Sequence, residues 1–291
     1  MTDLTIEEAD RQASGMKVMK EYFLANVSKA DALDHAANGV SFRFESTDDP
    51  LRVSMSQVEY GLDALSSATF FLGAAVNSLL ALRLLTFGEI VDVDGVMKRD
   101  AHITVNGTAG LIRQTVECAA RALWLVSPKS AEDLNLRGFA AVWANAEEAC
   151  RFAKAIGSPE ADEKEKFFQE LLDAGLSKGW MNEGARPPKP TYPLSDATGI
   201  LAGVTFDAGP LTPATHLLGT NVNNGEWVYR WSSGMAHGHA WVHSKSPEGM
   251  KDPVMELVWT KPDWMKLGLS TALAAQVIQN VLDAFSQESL Y

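Results

Sequence analysis

Residues 64–82, ALSSATFFLGAAVNSLLAL, form the longest uncharged run of this 291-residue chain. A run of 19 residues is close to the length that crosses a bilayer as a helix. Five of these residues are polar, and no cluster of Lys or Arg flanks the run to orient it in a membrane. We therefore predict a buried helix in a globular core rather than a membrane span, in a cytoplasmic protein without a membrane partner.

The overall composition agrees with a folded domain, because 46% of the residues are hydrophobic and 21% are charged. The 25 basic and 37 acidic side chains give a net charge of −12, which excludes a broad basic surface of the kind that binds nucleic acid non-specifically. Two cysteines, Cys118 and Cys150, are too few for a disulfide framework or a cysteine-rich zinc module.

Helix start signals recur along the chain. Capping-box spacing at Thr5–Glu8 predicts a helix to about Ala25, and the same spacing at Ser56–Glu59 predicts the start of the long apolar helix, which ends near Phe87. Ser158, followed by proline and glutamate, opens another helix. Residues 260–263 precede a predicted helix that ends near Ser286. Two further stretches, residues 102–126 and 131–156, are also predicted to be helical.

Strand signals are few. Apolar and polar residues alternate over 40–44 and again over 51–55, and residues 46–50 between them have turn composition. The sequence therefore predicts a mainly α fold, a bundle of about seven helices with at most a small β-hairpin near residues 40–55.

Four prolines between residues 182 and 193 indicate a loop or linker. We predict an N-terminal helical block over residues 1–181 and a loop region rich in proline and glycine over 182–225. Residues 226–291 are predicted to be C-terminal helices that pack with the first block as one domain.

The segment 226–239 carries the first candidate site. If it is helical, Glu226, Arg230, Ser233 and His237 share one face. An arginine can hold a phosphate by two hydrogen bonds, and a histidine can transfer a proton near neutral pH, so the pair suits phosphodiester cleavage. The structural alternative is that Arg230 pairs with Glu226 and that His237 ends the helix.

Arg113, Glu117 and Arg121 form a row with i, i+4, i+8 spacing, and apolar residues cover another face of the same helix. One interpretation is a solvated row of ion pairs. The other is a partly buried row that faces Arg230 and His237 and positions them.

The Arg230-x6-His237 spacing resembles the Arg-x(4–6)-His signature of HEPN-domain proteins, which are helical bundles of bacteria and archaea. The resemblance implies a metal-independent ribonuclease of a toxin–antitoxin or other defence system, without a cofactor. It implies that Arg230 binds the scissile phosphate and that His237 transfers the proton of the ribose 2′-hydroxyl. It also implies a homodimer, an RNA substrate and an antitoxin or other protein partner.

Two alternatives remain open. His237, His239 and His243 lie within seven residues and could bind a metal ion, although no regular geometry brings all three together. A non-catalytic helical interaction or dimerisation protein is the other alternative. It is favoured by the tryptophans of the last quarter of the chain and by the uncharged stretch Leu267–Leu282, which must be buried by its own bundle or by another subunit.

Overall fold

The computed structural model describes residues 6–87, 91–93, 96–98, 105–180, 201, 204, 264–288 and 290. Within these residues the chain forms eight helices: α1 (Ile6–Val27), α2 (Ala30–Arg43), α3 (Pro50–Ser56), α4 (Gly61–Phe87), α5 (Val105–Leu125), α6 (Ala131–Ala155), α7 (Ala161–Ser177) and α8 (Trp264–Phe285). Two short strands, β1 (Val91–Val93) and β2 (Val96–Lys98), form one antiparallel pair. The predicted mainly α helical bundle is confirmed.

Helix α4, which contains the uncharged run, lies at the centre of the bundle. It packs against α5 over most of its length and also contacts α2 and α6. Its inner face is fully buried at Leu72, Leu79 and Leu82. Helix α5 meets it with small and branched apolar side chains, and the predicted apolar face of α5 is buried at Ile112 and Val116. Burial of these two faces supplies much of the driving force for folding.

Helix α8 closes the bundle from the C-terminal side. It packs chiefly on α1 and α5, so its uncharged stretch is buried by the chain's own helices. Aromatic contacts fasten both of its ends: Trp264 lies 5.7 Å from Phe23 and Phe285 lies 5.3 Å from Phe44, measured between ring centroids. The domain boundaries at 181 and 226 lie outside the described residues and stay a prediction.

The hairpin predicted near residues 40–55 is wrong, because this stretch forms the end of α2 and all of α3. The alternation of apolar residues coincides with helical spacing: Leu51 and Met55 are four residues apart and both are buried, whereas Val53 between them is exposed. Asp49 and Pro50 start α3, because the Asp49 carboxylate accepts hydrogen bonds from the backbone N–H groups of Leu51 and Arg52.

The predicted start of the long helix is also wrong. Ser56 ends α3, where its hydroxyl donates to the carbonyl of Val53, and α4 begins five residues later at Gly61. The hairpin that does form pairs Val93 with Val96, and the two residues between them in the sequence are Asp and Gly. Asp-Gly is a strong signal for a two-residue hairpin turn, and it was present in the sequence.

Helix α6 is fixed to the bundle at two points. The buried guanidinium of Arg137 makes two hydrogen bonds to the Asp133 carboxylate and donates to the carbonyls of Trp124 and Ser127 at the end of α5. One residue further, Gly138 lies against the backbone carbonyl of Tyr60, where a β-carbon would overlap the oxygen.

Helix α7 packs on α6 around a second, smaller core. Phe139, Trp143 and Leu171 are its buried side chains of largest volume, and the rings of Tyr60 and Trp180 pack against them. This cluster is separate from the core that surrounds α4.

Arg43 and Asp49 connect three helices. The Arg43 guanidinium donates from Nε to Oδ2 of Asp49 at 2.7 Å and from Nη1 to the carbonyl of Phe285 at 3.1 Å, so it joins α2 to the caps of α3 and α8. Burial raises the pKa of Asp49, but the hydrogen bonds from Arg43 and from the backbone of Arg52 outweigh burial and hold this pKa below its ordinary value.

We expect Asp49→Asn to lower the free energy of unfolding by about 2 kcal/mol at pH 7, because it leaves Arg43 without its ion pair. A carboxylate with a lowered native pKa contributes stability above its unfolded pKa of about 4 and loses it as pH falls through the native value. The difference from wild type should therefore shrink below about pH 4. Urea unfolding between pH 3 and pH 7 measures it. Asp48→Asn, on the exposed neighbour, is the matched control, and an equal effect there would contradict the prediction.

We expect Gly138→Ala to destabilise the protein by about 1–3 kcal/mol, because the added methyl group collides with the Tyr60 carbonyl. Gly39 is also helical but has open space around its α-carbon, so Gly39→Ala should instead stabilise by about 0.5–1 kcal/mol. Thermal unfolding of the two variants compares these effects directly. Equal melting temperatures would show that α6 packs less tightly against the backbone of Tyr60 than it does in the structure.

Candidate functional site

The α5 charge row, Arg113, Glu117 and Arg121, is the predicted site element that the structure describes. Glu117 lies between the two arginines: Oε1 is 2.8 Å from Nη2 of Arg121, and Oε2 is 3.4 Å from Nη2 of Arg113. All three residues lie on α5 one turn apart, as the i, i+4, i+8 spacing predicts.

Of the two interpretations of the row, the structure has the partly buried arrangement on α5. The exposed fractions of the three side chains are 25%, 20% and 21% in chain order. The guanidinium carbon of Arg121 lies 5.4 Å from the centroid of the Phe71 ring on α4. A fully solvated row would leave these side chains far more open, so the ion pairs are less screened than typical surface pairs.

The row carries one positive charge in excess, because two guanidinium groups share one carboxylate. The Nε–H of Arg113 is buried and has no acceptor among the residues that the structure describes. A buried guanidinium N–H favours an anionic acceptor, and phosphate oxygens match the geometry of arginine. The row therefore leaves one guanidinium charge in excess on α5, in a chain that is otherwise acidic.

The four other predicted site residues, Glu226, Arg230, Ser233 and His237, lie outside the described residues. The same holds for His239 and His243, the remaining members of the alternative metal site. That the α5 charge row faces Arg230 and His237 thus stays a prediction. Within the described ranges no three His, Cys, Asp or Glu side chains come together as a metal site would require.

An open groove of about 730 Å³ runs beside α4, and it was not predicted. Residues of α4 line one side of the groove, and the end of α2 with Arg52 of α3 lines the other. The large ring of Phe70 at its edge is 72% exposed. The apolar run indicated a buried helix, but periodicity within a uniformly uncharged stretch does not reveal which face stays open.

A smaller hollow of about 340 Å³ lies among α4, α6 and α7. Asp63 and Lys164 both line it, so it offers one group of each charge. Burial raises the pKa of the Asp63 carboxyl, and a hydrogen bond with its own backbone opposes that shift.

Among the described residues, α4 is the one helix with the length and hydropathy needed to cross a bilayer. Of its most apolar 18-residue window, 39% is buried against the rest of the chain. Core helices of globular proteins meet the same criteria, so this property alone assigns no membrane location.

In comparisons with known proteins, no family model, no curated protein and no solved structure matches the chain.

We expect Glu117→Gln to destabilise the protein by about 1–2 kcal/mol, because it leaves two partly buried guanidinium groups close together without their shared carboxylate. Glu148→Gln breaks an exposed pair with Arg151 and should change stability by less than about 0.5 kcal/mol. Urea unfolding at low and high salt measures both effects. An equally small change at Glu117 would mean that water solvates the α5 charge row.

Proposed function

We propose that this protein cleaves RNA without a metal ion, with Arg230 and His237 as its catalytic residues. The observation that carries the proposal is a combination on one chain: the Arg-x6-His spacing of residues 230–237, and the partly buried excess of positive charge on α5. The spacing supplies a phosphate-binding group and a proton-transfer group, and the α5 charge row supplies further affinity for a phosphate.

In the proposed reaction His237 takes the proton of a ribose 2′-hydroxyl, and the oxygen attacks the adjacent phosphorus. The bond to the 5′-oxygen breaks, so the products are a 2′,3′-cyclic phosphate and a 5′-hydroxyl that gains a proton. Arg230 binds the phosphate oxygens, on which negative charge grows in the transition state. This chemistry uses the 2′-hydroxyl as its nucleophile and therefore acts on RNA and not on DNA.

The setting that we propose is a toxin or defence system, in which an antitoxin or another protein partner restrains the nuclease. The resemblance of the Arg-x6-His motif to HEPN-domain proteins supports this setting. We place the protein in the cytoplasm, and two observations support that compartment. Cys118 and Cys150 are both unpaired, and burial raises the pKa of Cys118, which keeps it an unreactive thiol.

We expect purified full-length protein to cleave single-stranded RNA in EDTA, and Arg230→Ala and His237→Ala to reduce the rate by at least about 100-fold. Matched controls are Arg151→Ala and His35→Ala, which replace exposed residues of the same types on α6 and α2. A substrate with 2′-deoxyribose at the cleaved position should remain intact. Circular dichroism checks that each variant is folded.

Cleavage that persists equally in all four variants would place the chemistry elsewhere or reveal a contaminating nuclease. Absence of cleavage by every protein would favour the second candidate function, a non-catalytic helical interaction protein. The open apolar face of α4 supports that candidate, because large apolar side chains exposed side by side are typical of contact surfaces.

A further inference from the structure

The hollow of about 340 Å³ among α4, α6 and α7 is lined by two kinds of side chain. Apolar side chains of α6 and α7 form one part of its wall: Val142, Ala146, Ala149 and Phe167. Five polar side chains converge on the same space: Asp63, Ser66, Ser67, Asn145 and Lys164. An apolar wall with a few convergent polar groups is typical of small-molecule sites, and this volume is at the lower end of their range.

The uncharged polar groups of the hollow are not used by the fold itself. On the same helix, the hydroxyl groups of Thr69 and Ser78 donate hydrogen bonds to main-chain carbonyls of α4. Within the described part of the chain, the side chains of Ser66, Ser67 and Asn145 make no hydrogen bond of this kind. Their donors and acceptors are therefore available to a ligand.

The two charged groups of the hollow also lack strong partners in the described ranges. Asp63 makes no ion pair there, and burial raises the pKa of its carboxyl, which indicates that its charge is partly desolvated. Lys164 lies 3.9 Å from Glu160, and both of these side chains are largely open to solvent, so their interaction is weak. A ligand with two opposite charges can thus engage both groups without breaking a strong contact.

The two charged groups approach the hollow from opposite ends. Asp63 lies in the first turn of α4, which starts beside Gly138 of α6. Lys164 lies in the first turn of α7, next to the residue that pairs with Lys154 of α6 at 2.7 Å. The part of α6 that lines the hollow, residues 142–149, lies between these two points and is about 10 Å long.

A hollow of this length selects a ligand by the distance between its charges. One residue of an extended chain covers about 3.3–3.6 Å, so the ammonium and carboxylate groups of a single amino acid are too close together. Two or three residues cover roughly 7–10 Å. The hydroxyl and amide groups between the two ends suit the N–H and C=O groups of peptide bonds, because they both donate and accept.

We propose that this hollow binds a short peptide of two or three residues with free termini. The N-terminal ammonium of the peptide pairs with Asp63, and its C-terminal carboxylate pairs with Lys164. The hydroxyl and amide side chains between them hydrogen-bond the peptide bonds, and an apolar side chain of the peptide packs on Phe167. The inference goes beyond RNA cleavage and does not depend on it, because every residue that it uses lies on α4, α6 or α7.

The first test is a chemical-shift titration of the full-length protein with the dipeptide alanyl-leucine. We expect a dissociation constant of about 0.1–1 mM, which is usual for so small a ligand. Acetylation of its amino group, or amidation of its carboxylate, should each weaken binding by at least about 10-fold. Leucine alone should also bind at least about 10-fold more weakly, because it does not reach both charges.

The second test changes the two charged groups of the protein. Asp63→Asn and Lys164→Met should each weaken the binding of alanyl-leucine by at least about 10-fold. Asp63→Asn should bind the dipeptide and its acetylated form equally, and Lys164→Met should bind the dipeptide and its amide equally, which reports the orientation of the ligand. Asp48→Asn and Lys166→Met, at exposed positions outside the hollow, should leave binding unchanged. Melting temperatures check that each variant is folded.

Three results would contradict the proposed peptide site. Chemical shifts that do not change with dipeptide or tripeptide up to about 10 mM would exclude binding of this class of ligand. Equal affinity for leucine and for alanyl-leucine would show that the two charges do not act together. Binding that persists unchanged in both Asp63→Asn and Lys164→Met would place the ligand elsewhere on the protein. The RNA cleavage assay is independent of all three.

Discussion

The need to cover α4 organises the described bundle. A helix of 27 residues without a charge between Asp63 and Arg83 is unstable in water unless other elements shield it. Helices α2, α5 and α6 all contact it, and α8, which packs chiefly on α1 and α5, contacts it as well. The polar anchors of the fold lie at the edges of this arrangement: Arg43 with Asp49 at one edge, and Arg137 with Asp133 at another. They determine where helices end, whereas apolar burial determines which helices meet.

The helical class and five of the long helices could be predicted because their signals are local. Uninterrupted helix formers predict α6 to within one residue of its bounds, and the structure has Ser130 as its N-cap. The region from residue 40 to 61 could not be predicted correctly, because its apolar residues satisfy both a two-residue and a four-residue period. Asp49 followed by Pro50 is a local helix-start signal, but the turn composition of residues 46–50 obscured it. The contact of Arg43 with the carbonyl of Phe285, 242 residues away, adds a tertiary constraint beside it. Such a contact is not visible in sequence.

In the candidate site, too, local contacts could be predicted from the sequence, whereas features that depend on packing could not. The i, i+4, i+8 spacing predicts that Glu117 joins Arg113 and Arg121, and the structure has these contacts on α5. The degree of burial of the row depends on α4, through the ring of Phe71 beside Arg121, and sequence spacing does not contain that information. Arg230 and His237 lie outside the described residues, so it stays a prediction that the α5 charge row faces them. The open face of α4 required the packed structure, because no charged residue marks it between Asp63 and Arg83 in the sequence.

The second, smaller core between α6 and α7 is a place where the bundle can open locally. Helix α7 packs chiefly against α6, and few buried side chains, among them Leu171, hold it there. Detachment of α7 exposes Phe139 and Trp143 while the packing of α4, α5 and α8 stays intact. A cooperative unit with so small a buried area opens at a lower free energy than the whole chain does. We therefore expect the backbone amides of α7 to exchange hydrogen by local opening. The fluorescence of Trp143 reports the same opening, because this side chain lies in the second core.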